Sequence, residues 1–172
     1  MTNNPYEGLQ EFVAQLPDFL QPLLIAALGA IPYVEGEGAA GIGIIVGLNP
    51  ILAAVAGATG NILCVLAVVT LTSRVRESVV ERRVAIDPDP GPAAPTRREK
   101  GRARLRRWLV RFGVPGASIL APLALPTPLT AAFLVGSGVP KKWVMLWQVV
   151  AIVLWTGLIA AAATGLVTVL GW

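Results

Sequence analysis

The sequence predicts an all-α membrane protein of two inverted repeats, each a re-entrant helical hairpin followed by a transmembrane helix. Three observations support this fold class. The chain has 172 residues, of which 55% are hydrophobic, and its apolar stretches are longer than those of most soluble domains. Proline and glycine interrupt the stretches at similar places in the two halves. All basic residues lie beyond position 73, and this asymmetry predicts an orientation across the membrane.

The first predicted element is a re-entrant hairpin over residues 19–49. Its two apolar pieces are each shorter than the ~20 residues that a spanning helix needs. Three helix-breaking residues separate them: Pro32, Gly36 and Gly38. Because neither piece can cross a membrane alone, we predict that the chain enters and leaves on the same side.

A spanning helix with a cytoplasmic extension is predicted over residues 50–83. Pro50 can occupy the first turn of this helix, where its missing N–H costs nothing. Residues 84–95 follow with four prolines, a composition that is typical of an extended linker.

A basic amphipathic helix is predicted over residues 96–111, on the cytoplasmic side. It opens with Thr96 and Glu99, which have the spacing of a capping box. A helix of this pattern lies on a membrane surface, so we expect anionic lipid headgroups at Arg97–Arg107. Nucleic-acid binding is the usual rival interpretation of a basic run, but between two membrane segments we expect no nucleic acid as a partner.

The second half repeats this plan, with a hairpin over residues 112–140 and a spanning helix over 143–170. Three prolines form its predicted break: Pro122, Pro126 and Pro128. The interval from Pro122 to Pro140 equals that from Pro32 to Pro50. The equal spacing predicts that the two halves share one structure.

Charge predicts the orientation of the two halves. Twelve of the 14 Lys and Arg lie between Arg74 and Arg111, and the others are Lys141 and Lys142. Short loops rich in Lys and Arg stay in the cytoplasm. We therefore predict a multi-pass protein of the bacterial inner membrane, with loop 74–111 cytoplasmic and both termini outside. The hairpins then enter from opposite sides and their tips meet near the midplane, an architecture of many secondary transporters.

Glu35 and Glu37 are the main candidate site residues. They are the only charged residues between Phe19 and Thr72. A charged side chain near the centre of a bilayer costs about 2.5–3.5 kcal/mol or more. In an extended tip the two side chains point the same way, and two carboxylates so close cannot both be ionised at low cost. Such a pair suits a proton-coupled carrier or a cationic substrate. The alternative is that they cap the following helix near the external surface.

Four further residues are second-rank candidates to line a substrate or proton site: Asn61, Thr127, Gln148 and Arg111. For Asn61 and Gln148, at comparable depths, the preferred role is bonding to backbone groups exposed by the breaks. The Thr127 hydroxyl can contact a substrate or a carbonyl freed by a proline. Arg111 can pair with a lipid phosphate or with Glu35, or extend to the headgroups.

The sequence contains no histidine, and Cys64 is its single cysteine. It therefore offers no nucleophile–base pair and no cluster of metal ligands. We expect no enzymatic activity, no cofactor and no bound metal.

Small residues four positions apart predict close helix packing. The pairs are Gly43 with Gly47 and Ala53 with Gly57. They can pack the first hairpin internally or form a homodimer, and both uses stay open.

Residues of the second half follow the order found in a known superfamily. They are the segment Arg111-Phe112-Gly-Val-Pro115-Gly116 and then Pro122, Gly138, Trp147 and Trp155. The pattern resembles the DedA/VTT superfamily, in which an Arg-aromatic-x-x-Pro-Gly segment leads into a re-entrant hairpin. One departure is that Ala117-Ser118 stand where those proteins carry a second arginine.

The first half is similar to the small multidrug export protein family. The residues concerned are Ile31-Pro32, Glu35 and Gly60-Asn61. Both resemblances together cover about residues 20–73 and 108–165. They imply a small export or lipid-translocation protein, because DedA members are linked to flipping of undecaprenyl phosphate and other phospholipids and to proton-dependent homeostasis.

Three functions follow as hypotheses. The first is a small proton-coupled transporter or exporter that moves an amphiphilic or lipid-like substrate through a midplane site between the hairpins. The alternative is a DedA-like flippase or scramblase of a phosphorylated lipid carrier. A second alternative is a non-transporting accessory subunit of a membrane complex.

Overall fold

The structure, a computed structural model, describes residues 11–12, 15–86 and 113–171. The elements in these ranges are all helical, without a strand, which confirms the all-α class for this part of the chain. The helices are α1 (Leu20–Gly29), α2 (Glu35–Ile45), α3 (Pro50–Ile86), α4 (Val114–Leu120), α5 (Thr127–Gly136) and α6 (Lys141–Leu170). A 3-10 turn, Ala121–Leu123, follows α4.

The predictions for the region between α3 and α4 can be compared with the structure only at the edges of that region. Residues 84–86, predicted as the start of the linker, belong to α3. The remainder of that linker and the basic helix predicted over 96–111 lie outside the described residues.

Helices α3 and α6 are long and apolar enough to cross a membrane. The ranges concerned are Pro50–Arg82 and Lys141–Leu170, and each contains an 18-residue window with a mean hydropathy of 2.2. Large apolar side chains cover their outer faces, and Leu63, Leu71 and Leu158 are each more than half exposed. Apolar surface of this extent is compatible with a membrane protein.

Prolines and a side-chain cap set several helix boundaries. Pro50 is the first residue of α3, and the Asn49 side chain accepts hydrogen bonds from the N–H groups of Ile51 (3.0 Å) and Leu52 (3.2 Å). Pro128 lies in the first turn of α5. It therefore belongs to that helix and not to the predicted break, because the first turn needs no N–H partner.

The first break also differs from the prediction. The chain turns over residues 30–34, and Gly36 and Gly38 lie inside α2. The turn uses positive φ angles at Tyr33 (73°) and Glu35 (53°), the two non-glycine residues with such angles in the described ranges. The prediction that Gly36 and Gly38 interrupt the helix is wrong, because other residues adopt the unusual backbone conformation.

Glycines instead allow the backbones of neighbouring helices to approach each other closely. A Cβ atom on Gly36 would lie 2.5 Å from the hydroxyl oxygen of Thr156 in α6. A Cβ atom on Gly60 of α3 would lie 1.8 Å from the carbonyl oxygen of Ala26 in α1. The approach at Gly60 is to backbone atoms and requires a residue without a side chain. At Gly36 a Cβ atom would displace the Thr156 hydroxyl and crowd the backbone of Ala58 at 3.2 Å.

The turns after α2 and α5 have the same hydrogen-bond pattern. After α2, the N–H of Leu48 donates back into the helix (2.9 Å) around Gly47, which has a φ of 95°. After α5, the N–H of Val139 donates in the same way (3.1 Å) around Gly138, with a φ of 90°. Both helices therefore end on a left-handed glycine with a 6→1 bond.

Each pair of short helices packs against both long helices. We call α1 with α2 the first hairpin and α4 with α5 the second hairpin. Helices α2 and α5 each contact both α3 and α6, whereas α1 packs on α3 and α4 packs on α6. One hydrophobic cluster surrounds the first hairpin and includes Ile25, Ala39 and Ala160. The other surrounds α5 and includes Val65, Ala131 and Ile152.

Contacts along the long helices define the helix directions. Gly36 approaches both Ala58 of α3 and Thr156 of α6, whereas Ser73 of α3 shares a cavity with Lys141, the first residue of α6. Helices α3 and α6 are therefore antiparallel.

The same reasoning gives the directions of α2 and α5. Near the ends of α2, Gly36 meets Ala58 and Gly43 meets Ala53, so α2 runs opposite to α3. The last residue of α5, Gly136, approaches Thr72, which lies well beyond Ala58 on α3. The first residue of α5, Thr127, donates a hydrogen bond to Glu35 at the start of α2, near Ala58. Helix α5 therefore runs with α3, and α2 and α5 point away from each other.

Candidate functional site

Glu35 is buried where the two hairpins meet. Its side chain is 4% exposed, and its carboxylate accepts two hydrogen bonds from Thr127 of the second hairpin. One comes from the Thr127 hydroxyl (2.7 Å) and the other from its backbone N–H. Since the two residues are 92 positions apart in the chain, these bonds join the two halves of the protein.

Two helix N-termini converge at this contact. Glu35 is the first residue of α2 and Thr127 is the first residue of α5. An N-terminus carries free N–H groups and the positive end of the helix dipole. The residue before α5, Pro126, provides no side-chain cap, and the Glu35 carboxylate takes that role from the other half. The site therefore consists of one carboxylate between two positive helix ends.

A cavity of about 170 Å³ lies beside Glu35. Its walls come from Tyr33, Glu35 and Glu37 of the first hairpin and from residues 122–126 of the second. This volume has room for several water molecules or a small polar group. Residues at the start of α2 and residues that precede α5 thus line a space that can hold a ligand.

Glu37 shares the cavity but not the hydrogen bonds. It is half-buried and lies in the first turn of α2. The expectation that Glu35 and Glu37 point the same way from an extended tip is wrong, because the tip is helical from Glu35 onward. Residues two positions apart on a helix do not face each other.

Asn61 and Gln148 are buried without the partners that the sequence suggested. Their side chains are 1% and 0% exposed, and neither amide nitrogen nor amide oxygen has a hydrogen-bond partner within the described ranges. The predicted bonding of these amides to hairpin backbone is therefore wrong. Buried polar groups are nearly always satisfied, so both positions can offer hydrogen bonds to water or to a ligand.

Two further buried hydroxyls were not predicted. Thr156 and Ser118 are 1% and 0% exposed, and their oxygens also lack a partner in the described part of the chain. The Thr156 hydroxyl faces Gly36 at the start of α2. Thr156 lies two turns beyond Gln148 on α6, and this helical spacing was the signal that could have identified it.

Two other polar side chains bond to backbone carbonyls at the second break. The Trp155 indole donates a hydrogen bond to the carbonyl of Ile119 (2.8 Å), at the end of α4. The Thr130 hydroxyl faces the carbonyl of Pro126 (3.4 Å). These bonds satisfy carbonyl groups where the helix is interrupted. Arg111 lies outside the described residues, so its predicted partners stay predictions.

Comparisons with known proteins give no relative from which a function could be transferred. No protein-family model, no curated protein and no solved structure matches this chain. The resemblance to the DedA/VTT superfamily and the small multidrug export family therefore remains a prediction from the sequence.

Proposed function

We propose that the protein is a small proton-coupled transporter of an amphiphilic or lipid-like substrate. The observation that carries the proposal is the buried Glu35 carboxylate, which joins two hairpins beside a cavity. A buried acid inside an apolar protein is the usual proton-binding group of such carriers. The proposal places the protein in the bacterial inner membrane, with α3 and α6 as its spanning helices.

The proposal includes two re-entrant hairpins related as inverted repeats. The matching glycine turns after α2 and α5 support a repeat, and the opposite directions of these two helices support its inversion. Broken helices that meet between inverted repeats form the substrate sites of many secondary transporters.

Proton binding at Glu35 supplies the coupling step. The ionised carboxylate holds Thr127 through two charge-assisted hydrogen bonds and is stabilised by both helix ends. A proton removes the charge and weakens both effects together. The hairpins then separate at their tips, and the cavity opens to the other side of the membrane.

The test replaces the acid by its neutral isostere. Proteoliposomes with wild-type protein should take up ethidium, a cationic amphiphile, at a rate that follows an imposed pH gradient. In Glu35→Gln we expect the rate of uptake to fall at least about tenfold, equivalent to ~1.4 kcal/mol of lost stabilisation. The remaining uptake should not depend on the pH gradient. Fluorescence of ethidium and of an internal pH dye measures both effects.

A matched control separates this acid from other acids of the chain. Glu81→Gln changes an exposed glutamate at the far end of α3 and should transport like the wild type. If Glu35→Gln keeps the wild-type rate and pH dependence, proton coupling through this residue is disproved.

A flippase of phosphorylated lipids is the second candidate. Two converging helix N-termini favour an anionic group, and in the resting structure Glu35 occupies that position. This function predicts scrambling of a labelled anionic lipid that is lost in Arg111→Ala but retained in Glu35→Gln. The opposite pattern favours the proton-coupled transporter.

The unpartnered amides give a separate prediction. Asn61→Leu and Gln148→Leu each remove two buried polar atoms without a protein partner, and burying such a group costs about 1–3 kcal/mol. We expect the melting temperature in detergent to stay equal or rise, while ethidium uptake falls. A fall in both quantities would show that the amides hold the fold together instead.

A further inference from the structure

We propose that a second site, at the lysine-rich end of the helix bundle, binds the phosphate group of an anionic phospholipid. The site is a cavity of about 350 Å³ between α3 and the turn before α6, which we call the basic cavity. Ser73, Arg76 and Glu77 line one side, and Lys141 and Lys142 line the other. The basic cavity is distant from Glu35, which lies near Ala58 of α3, and it shares no residue with the cavity beside Glu35.

The charges of the basic cavity favour an anion. Three cations, Arg76, Lys141 and Lys142, face one acid, Glu77. Glu77 is engaged by the Ser73 hydroxyl, which donates a hydrogen bond to its Oε1 (3.0 Å). Within the described ranges no carboxylate forms an ion pair with the three cations, and all three side chains are exposed.

The start of α6 adds a fourth positive group to the basic cavity. Lys141 is the first residue of this 30-residue helix, and Pro140 before it provides no side-chain cap. The first N–H groups of a helix have no partner within the helix and favour a negative charge. A phosphate between Arg76 and the two lysines can accept hydrogen bonds from side chains and backbone together.

The surroundings of the cavity favour a lipid over a soluble anion. Trp143 and Trp147 stack edge to face (5.9 Å between ring centres) in the first turns of α6, and tryptophan concentrates at membrane interfaces. Exposed Leu66 of α3 precedes Ser73 by two helical turns and lies on the same helix face, toward the apolar middle of α3. A headgroup in the basic cavity can therefore extend an acyl chain along this face. The inference requires α3 and α6 to cross a membrane but does not depend on proton coupling.

Native mass spectrometry of the full-length protein in neutral detergent tests this site. With dioleoyl phosphatidylglycerol we expect a tightly retained lipid in addition to any bound at Arg97–Arg107, and with dioleoyl phosphatidylcholine none. Arg76→Gln should lower the affinity about fivefold, the change that corresponds to ~1 kcal/mol per basic residue near an anionic group. Lys141→Gln with Lys142→Gln should lower it about 25-fold on the same basis. Glu77→Gln should raise it, because the one repulsive charge is removed.

Arg74→Gln is the matched control, since Arg74 is an exposed arginine of α3 that does not line the basic cavity. It should bind phosphatidylglycerol like the wild type, and Arg76→Lys should restore most of the affinity lost in Arg76→Gln. Equal losses in Arg74→Gln and Arg76→Gln, or equal retention of the two lipids, would overturn the proposal. Displacement of the lipid by an equal concentration of inorganic phosphate would assign the cavity to a soluble anion and disprove the lipid assignment.

Discussion

Gly60→Ala is expected to destabilise the protein by about 3 kcal/mol, at the upper end of the range for overpacking substitutions. The new Cβ would lie 1.8 Å from the carbonyl oxygen of Ala26 and 2.7 Å from its carbonyl carbon. Because these are backbone atoms, no side-chain rotation can relieve the overlap. Helix α1 must move away from α3, and the hydrophobic cluster around the first hairpin loses contacts. Unfolding of the purified protein by heat or by increasing SDS in a mild detergent measures the loss.

Gly157→Ala provides the matched control for Gly60→Ala. Gly157 lies in the interior of α6, and a Cβ there meets no atom within 4 Å. The same substitution should leave stability unchanged or raise it by up to about 1 kcal/mol through helix propensity. If the two variants unfold at the same point, the close approach of α1 to α3 is not present in the protein.

Thr127→Val is expected to destabilise the protein by about 2 kcal/mol, because a hydrogen bond to a buried charged group contributes ~1.5–3 kcal/mol. Valine keeps the shape of threonine but leaves one oxygen of the Glu35 carboxylate without its donor. Position 127 is 1% exposed, so bulk water cannot replace the lost hydroxyl. Thermal unfolding in detergent gives the size of the effect.

Thr130→Val provides the matched comparison in the same helix. Among the described residues the Thr130 hydroxyl has one hydrogen-bond partner, the Pro126 carbonyl one turn earlier, at 3.4 Å. We expect less than ~1 kcal/mol from its loss. A double-mutant cycle completes the test, since Thr127→Val should have a much smaller effect in a Glu35→Gln background. Equal effects of the two valine substitutions would contradict a special contact between Thr127 and Glu35.

Local sequence features predicted the helical segments because their causes are local. Pro50 and Pro140 stand at the starts of α3 and α6, where the fixed φ and missing N–H of proline have a known effect. The prediction for Gly36 failed for the opposite reason. Its small size serves a contact with Ala58 and Thr156, which lie far away in the chain, and a local pattern cannot distinguish that use from a turn.

The candidate site shows the same division between local and distant causes. Glu35 could be identified because a carboxylate within an apolar membrane segment is unusual. Its partner could not be identified, because the bond to Thr127 spans 92 positions and depends on how the hairpins pack. The amides of Asn61 and Gln148 were expected to bond to backbone, and only the packed structure shows them buried without such partners.

The two left-handed residues at the first break have a consequence for the resting state. Tyr33 and Glu35 hold positive φ angles, and such a conformation costs about 1–3 kcal/mol for each non-glycine residue. The packing of α2 on the two long helices and the contact between Glu35 and Thr127 together offset this cost. If that contact is lost, part of the offset is lost with it, and the backbone strain then lowers the free energy needed to move the first hairpin tip away from the second.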